Sequence, residues 1–172
     1  VVDLKTINAA TAGAFPLTSQ TKAADFTTDT AADLAAAFTG ITSHTGDITL
    51  KAGVAATVAE LKTINAATAG TITLNSQTIA QNYSDTAADL AAAFTGITTH
   101  TGTVAITGTN PTVSQLNAIS AATTGVVTAT ISGTATALAG LTTAGTDVIT
   151  VTLADGVAAT VAELKTINSK TA

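Results

Sequence analysis

The chain has no cysteine, methionine, tryptophan or arginine, and only one tyrosine and four phenylalanines in 172 residues. Each gap excludes something. Without cysteine there can be no disulfide framework, zinc–thiolate centre or thiol nucleophile. Six lysines stand against eleven carboxylates, giving a net charge of -5. A nucleic-acid binder needs a basic stripe to neutralise phosphates, so nucleic acid is not an expected partner. No run of 18 apolar residues occurs, so no transmembrane segment is expected. Large side chains are scarce, and small ones bury little area at roughly 25 cal/mol per Å². Any core must be thin and built from many similar layers.

What the chain does have is threonine and alanine, about 40 of each, a bias far from globular averages that signals repetition. VVDLKTINAATAG (1–13) returns as VAELKTINAATAG (58–70), loosely as VSQLNAISAATTG (113–125), and again as VAELKTINSKT from Val161. A second unit interleaves with it: DTAADLAAAFTGIT (29–42) recurs unchanged at 85–98 and loosely as GTATALAGLTTAG (133–145). The central leucines Leu4, Leu34, Leu61, Leu90, Leu116, Leu138 and Leu164 lie about 22 to 30 residues apart, the length of one solenoid coil. The approximate units are 1–26, 27–53, 54–83, 84–111, 112–132, 133–156 and an incomplete 157–172. With no starting methionine, no signal peptide and neither end resembling a polar cap, the sequence reads as one internal fragment of a longer array.

Each unit reads as a helix followed by a strand. Thr57 to Glu60, Thr112 to Gln115 and Thr160 to Glu163 are capping boxes, with weaker versions at Thr30 to Asp33 and Thr86 to Asp89. Glycines at Gly13, Gly40, Gly70, Gly96 and Gly125 are expected to close the helices in left-handed conformation. Strands are expected over 47–51, 71–75, 103–107, 126–132 and 147–153, with an irregular one at 14–18 around Pro16. Short extra strands are possible in the linkers 19–26 and 76–83. The alternation predicts a right-handed α/β solenoid of about six to seven helix–strand coils with one parallel sheet, the alternative being a β-solenoid with short helices.

Chemistry is sparse. His44 and His100 recur in matching contexts, TSHTGD and TTHTGT, and read as loop residues at a helix-to-strand turn, too far apart for a shared metal. Asp29 and Asp85 read as helix caps and Asp33 and Asp89 as first-turn residues favoured by the helix dipole. No calcium motif accompanies Asp25, Asp47, Asp147 or Asp155, and no phosphate-binding glycine loop is present, so no cofactor is expected, the alternative being loop calcium at Asp47, Asp147 or Asp155 without a motif to support it. Asn82-Tyr83-Ser84 fits the glycosylation sequon. With no nucleophile–base constellation, the sequence does not read as an enzyme. One array is left. If the aliphatic residues of the strands face the helices, then Thr71, Thr73, Thr128, Thr130, Thr150 and Thr152 face outward in rows interrupted at Leu17 and Ala105. That face resembles the ice-binding surfaces of solenoid antifreeze proteins, and ice or glycan is the ligand class it suggests.

LKTINAATAGTITL, VSQLNAISAATTGVVTATISG and DTAADLAAAFTGIT resemble the Thr/Ala-rich repeats of very large bacterial cell-surface proteins, above all those of marine cyanobacteria, a group that includes a giant swimming-motility protein. The resemblance covers nearly the whole chain and is one of repeat style. It implies an extracellular or cell-surface setting and a structural, adhesive or motility-related role, with adjacent repeats or other copies as partners. It carries no catalytic residues.

Overall fold

The structure, a computed structural model of the chain, describes residues 1–11, 16–154, 156 and 158–171. It is a mixed α/β protein whose strands all pair in parallel. Among the described residues there are nine helices and six strands. In chain order these are α1 (Val2–Ala10), α2 (Ser19–Lys22), α3 (Ala31–Phe38), β1 (Ile48–Thr49), α4 (Val58–Ala67), β2 (Ile72–Thr73), α5 (Ser76–Ala80) and β3 (Tyr83–Thr86). There follow α6 (Ala87–Ala93), β4 (Val104–Thr107), α7 (Val113–Ala122), β5 (Val127–Gly133), α8 (Ala135–Leu138), β6 (Val148–Leu153) and α9 (Val161–Asn168). The chain divides into two compact units, residues 1–81 with 92–97 and residues 82–91 with 98–172.

Apart from α1, which no side chain caps, and α5, capped by Asn75, the helices start where a threonine can accept from the first turn. Thr57, Thr112 and Thr160 form complete capping boxes with Glu60, Gln115 and Glu163. At the second repeat type, Thr30 accepts from the Asp33 N–H and Thr86 from the Asp89 N–H, while both hydroxyls donate to the aspartate carboxylates at 2.8 Å. The caps are therefore Thr30 and Thr86, not Asp29 and Asp85. Asp85 instead lies in β3 opposite Ile106, and the backbone carbonyl of Asp29 accepts from Lys51 N–H. The hydroxyl wins because an extended residue at the cap aims its side chain back at the first-turn amides.

The linkers expected to add strands form short helices instead, α2 and α5, because Thr18 and Asn75 accept from the N–H groups of Thr21 and Thr78. Only Phe26, which bridges to Ile48, and Tyr83, which opens β3, are in ladders. Ala14 and Phe15 of the strand expected at 14–18 lie outside the described residues, as does Gly13; Pro16 to Thr18 are not in a strand.

The strands form two sheets rather than one: β1-β2 in the first unit, and β3-β4-β5-β6 in the second. In the first unit, side chains take over the bonds at the strand ends. The Asp47 carboxylate accepts from Thr71 N–H at 2.7 Å, and the Asn75 amide donates to the carbonyls of Lys51 and Val54. Asn75 also caps α5, so the chain leaves the extended conformation after Leu74. In the second unit β5 and β6 pair over six residues, from Thr128↔Val148 to Gly133↔Leu153.

The cores are thin and regular. In the first unit Leu34, Phe38, Ile48, Leu61 and Ile64 are fully buried, and Phe26 meets Phe38 edge-on with ring centres 5.5 Å apart. Ala31 and Ala37 are also buried in α3, which packs between α1 and α4; methyl-only positions let the helices approach closely. In the second unit β5 alternates strictly, Val127, Ala129 and Ile131 in, Thr128, Thr130 and Ser132 out.

Two glycines of the repeat end serve a purpose other than the one expected. Gly40 and Gly96 do adopt positive φ, 76° and 73°, just after α3 and α6. Gly70 and Gly125 do not. A Cβ on Gly70 would lie 2.1 Å from the Gly46 carbonyl oxygen, and one on Gly125 2.1 Å from that of Gly102. Backbone approach between successive turns, not helix termination, demands glycine there.

Candidate functional site

All six threonines singled out from the sequence are exposed. Thr71 and Thr73 belong to the first unit, the other four to the second. Parallel register sets Thr73 beside Thr49, Thr130 beside Thr150, and Thr152 beside Ser132. Thr128 has no threonine neighbour, lying between Ala105 and Val148. Hydroxyls and methyls therefore repeat about 4.8 Å apart across strands only in short rungs. Half-exposed Val148 and Val126 add apolar surface beside them. On the inner face Leu74, Ala129, Ile131 and Ile149 are buried as the alternation requires, but Leu153 stays 41% exposed.

The histidines lie between helix and strand as expected, and both are buried. His44 is 1% exposed and His100 is fully buried. Each bridges in parallel to the threonine after the next repeat helix, His44↔Thr68 and His100↔Thr123. The Nδ1 atoms lie 3.0 and 2.9 Å from Thr68 Oγ1 and Thr123 Oγ1. Those hydroxyls in turn donate to the carbonyls of Gly46 and Gly102 and accept from Gly70 and Gly125 N–H. His44 Nε2 donates to the Ala24 carbonyl at 2.9 Å, since that oxygen can only accept. The rings stack on aromatics: His44 on Phe26 and Phe38, His100 on Tyr83. These are structural corners. The sequence signal was available in the paired spacing of HTG with the later ATAG or ATTG, residues that meet only through the fold.

The carboxylates also serve the backbone. Asp25 accepts from Asp47 N–H, and Asp47 from Thr71 N–H. Buried Asp147 receives the Ser120 hydroxyl at 2.7 Å and the N–H groups of Val127 and Ala144. Asp155 lies outside the described residues, and among those described no three potential metal ligands cluster. Asn82 of the sequon is exposed and accepts from Thr103 N–H, with Tyr83 buried beside it.

Two carboxylates have acidities shifted by neighbours. The Lys5 ammonium, 2.6 Å from Asp33 Oδ1, and the Thr30 hydroxyl hold the Asp33 carboxyl below its ordinary range. The N–H of Thr160, with the hydroxyls of Thr136 and Thr160, does the same for Glu163.

The asparagines of the repeat helix were not singled out from sequence, yet they join successive helices. Asn8 donates to the carbonyls of Ala36, Ala37 and Thr39, and Asn65 to those of Ala93 and Thr95. A poor helix former recurring at the same place in LKTIN was the available signal.

The class these features define is a mixed α/β protein with parallel strands. No helix among the described residues is long and apolar enough to cross a membrane. Comparison with family models, with curated proteins and with solved structures finds no match.

Proposed function

We propose that the chain is a structural repeat segment of a large extracellular or cell-surface protein, a right-handed α/β solenoid serving as spacer, surface-layer component, adhesin stalk or motility-related element. The observation that carries this reading is the way each repeat satisfies the polar groups of the next. Asn8 and Asn65 both reach 28 residues ahead, Asp25 22, Asp47 24, His44 24 and His100 23. Bonds of that span are the signature of coils held by their neighbours. The reading is non-enzymatic: His44, Asp25, Asp47 and Asp147 are engaged by backbone and hydroxyl groups, and Asp33 by Lys5 and Thr30. Antibodies against residues 1–172 should label intact, unpermeabilised source cells; a signal found only after permeabilisation contradicts the surface assignment.

A second reading rests on the rungs Thr130–Thr150, Ser132–Thr152 and Thr49–Thr73. It makes the strand face a binding surface for ice or glycan. Thermal hysteresis or glycan retention that disappears in Thr150→Lys supports it, and an inactive parent chain removes it.

A further inference from the structure

α9 repeats the first eight residues of α4 letter for letter, VAELKTIN, yet the two helices have different surroundings. In α4, Val58 is 7% exposed and Leu61 and Ile64 are fully buried. In α9 the equivalent Val161 is 70% exposed and Leu164 43%, while Ile167 is buried. Identical side chains cannot differ so far through propensity; the difference lies in what packs against each helix among the described residues. The uncovered face continues onto β6, the edge strand of its sheet, and together they form an open groove of about 640 Å³ whose lining sets Val151, Leu153, Val161 and Leu164 beside Lys165 and Asn168.

The interior copies show which segment meets the polar groups of such a helix. After α4 the chain runs through β2, a strand of the TITL type, and then into an AADLAAAF helix whose C-terminal carbonyls, Ala93 and Thr95, take the Asn65 amide. Around α1 the same helix type, α3, takes the Asn8 amide and offers Asp33 to Lys5. α9 keeps both of these docking groups: Asn168 holds the place of Asn65, and Lys165 that of Lys5. The β6 edge keeps backbone donors and acceptors for one more parallel strand.

We infer that the β6–α9 groove is a docking site for a strand-then-helix segment of the type 70–98. Its TITL strand would extend the sheet beyond β6. Its AADLAAAF helix would lie on Val161 and Leu164, receive the Asn168 amide at its C-terminal carbonyls, and meet Lys165 with its first-turn aspartate. This rests on the repeat reading above and deepens it by naming the partner of one face.

The test joins a copy of residues 70–98 directly after Ala172 of the full chain and follows amide exchange by mass spectrometry, with α4 as the internal reference. A second variant carries Leu90→Ser and Phe94→Ser in the added copy only. Exchange across 161–168 is expected to slow at least tenfold toward the rate of α4 with the intact copy and to stay fast with the altered one. Unchanged α9 exchange with the intact copy, while α4 remains protected, overturns the docking inference alone. Protection of α9 in the unextended chain that rises with protein concentration also overturns it, since a second copy then covers the face. An α4 as unprotected as α9 instead sinks the repeat-stacking reading on which the inference rests.

Discussion

Gly70 and Gly40 separate two reasons for the same residue. Gly40 needs glycine for its dihedral angle and has open space around the missing Cβ, so Gly40→Ala should cost about 1 kcal/mol. Gly70 has an ordinary φ but a carbonyl oxygen where the Cβ would sit, so Gly70→Ala must push two backbone turns apart and should cost about 3 kcal/mol. Urea melts of the two variants give the comparison, and equal losses would contradict it. Sequence alone gives both glycines the same task because both follow a helix. Only the tertiary approach of Gly46 distinguishes them. The histidines illustrate the same limit: HTG reads as a polar turn, and what buries it is an aromatic ring and a threonine hydroxyl from distant positions.

The helix–helix contacts depend on a few polar groups whose worth varies with what lies opposite. Asn65→Ala removes the amide that holds the carbonyls of Ala93 and Thr95, and should destabilise by about 1 to 2 kcal/mol. Asn168→Ala, in the same eight-residue helix sequence, makes no hydrogen bond among the described residues and should leave the melting temperature unchanged. The α1–α3 contact adds a pH dependence. Because Lys5 and Thr30 lower the pKa of Asp33 relative to its unfolded value near 3.8, the contribution is complete above that value. It is lost as pH falls through the depressed folded value. The protection factors of the α1 amides, taken relative to intrinsic exchange at each pH, should therefore fall on acidification more in the parent chain than in Asp33→Asn. Capping threonines, leucine spacing and strand alternation were legible because they are local. Asn8, Asn65 and the replacement of two expected strands by α2 and α5 were not, because cap geometry and partners 28 residues away decide them.

At the scale of the whole molecule the sequence repeat predicted parallel strands between helices, and the structure has them, in two sheets rather than one. Around the short β1–β2 ladder the side chains of Asp47 and Asn75 take over bonds that a longer ladder would make. The account's central claim is that within each sheet neighbouring strands pair in parallel register, Thr49 opposite Thr73 and Thr130 opposite Thr150. The chain has no native cysteine, so engineered pairs report on it cleanly. Register partners in adjacent parallel strands have Cα atoms about 4.8 Å apart, within disulfide reach, and a two-residue offset takes them beyond it. The measurement is disulfide yield under mild oxidation for Thr49→Cys with Thr73→Cys and for Thr130→Cys with Thr150→Cys. Each is compared with its offset pair, Thr49→Cys with Thr71→Cys and Thr130→Cys with Thr152→Cys. The account predicts near-complete closure of both register pairs and little of either offset pair. Equal closure of register and offset pairs, or closure of the offset pairs alone, would contradict it.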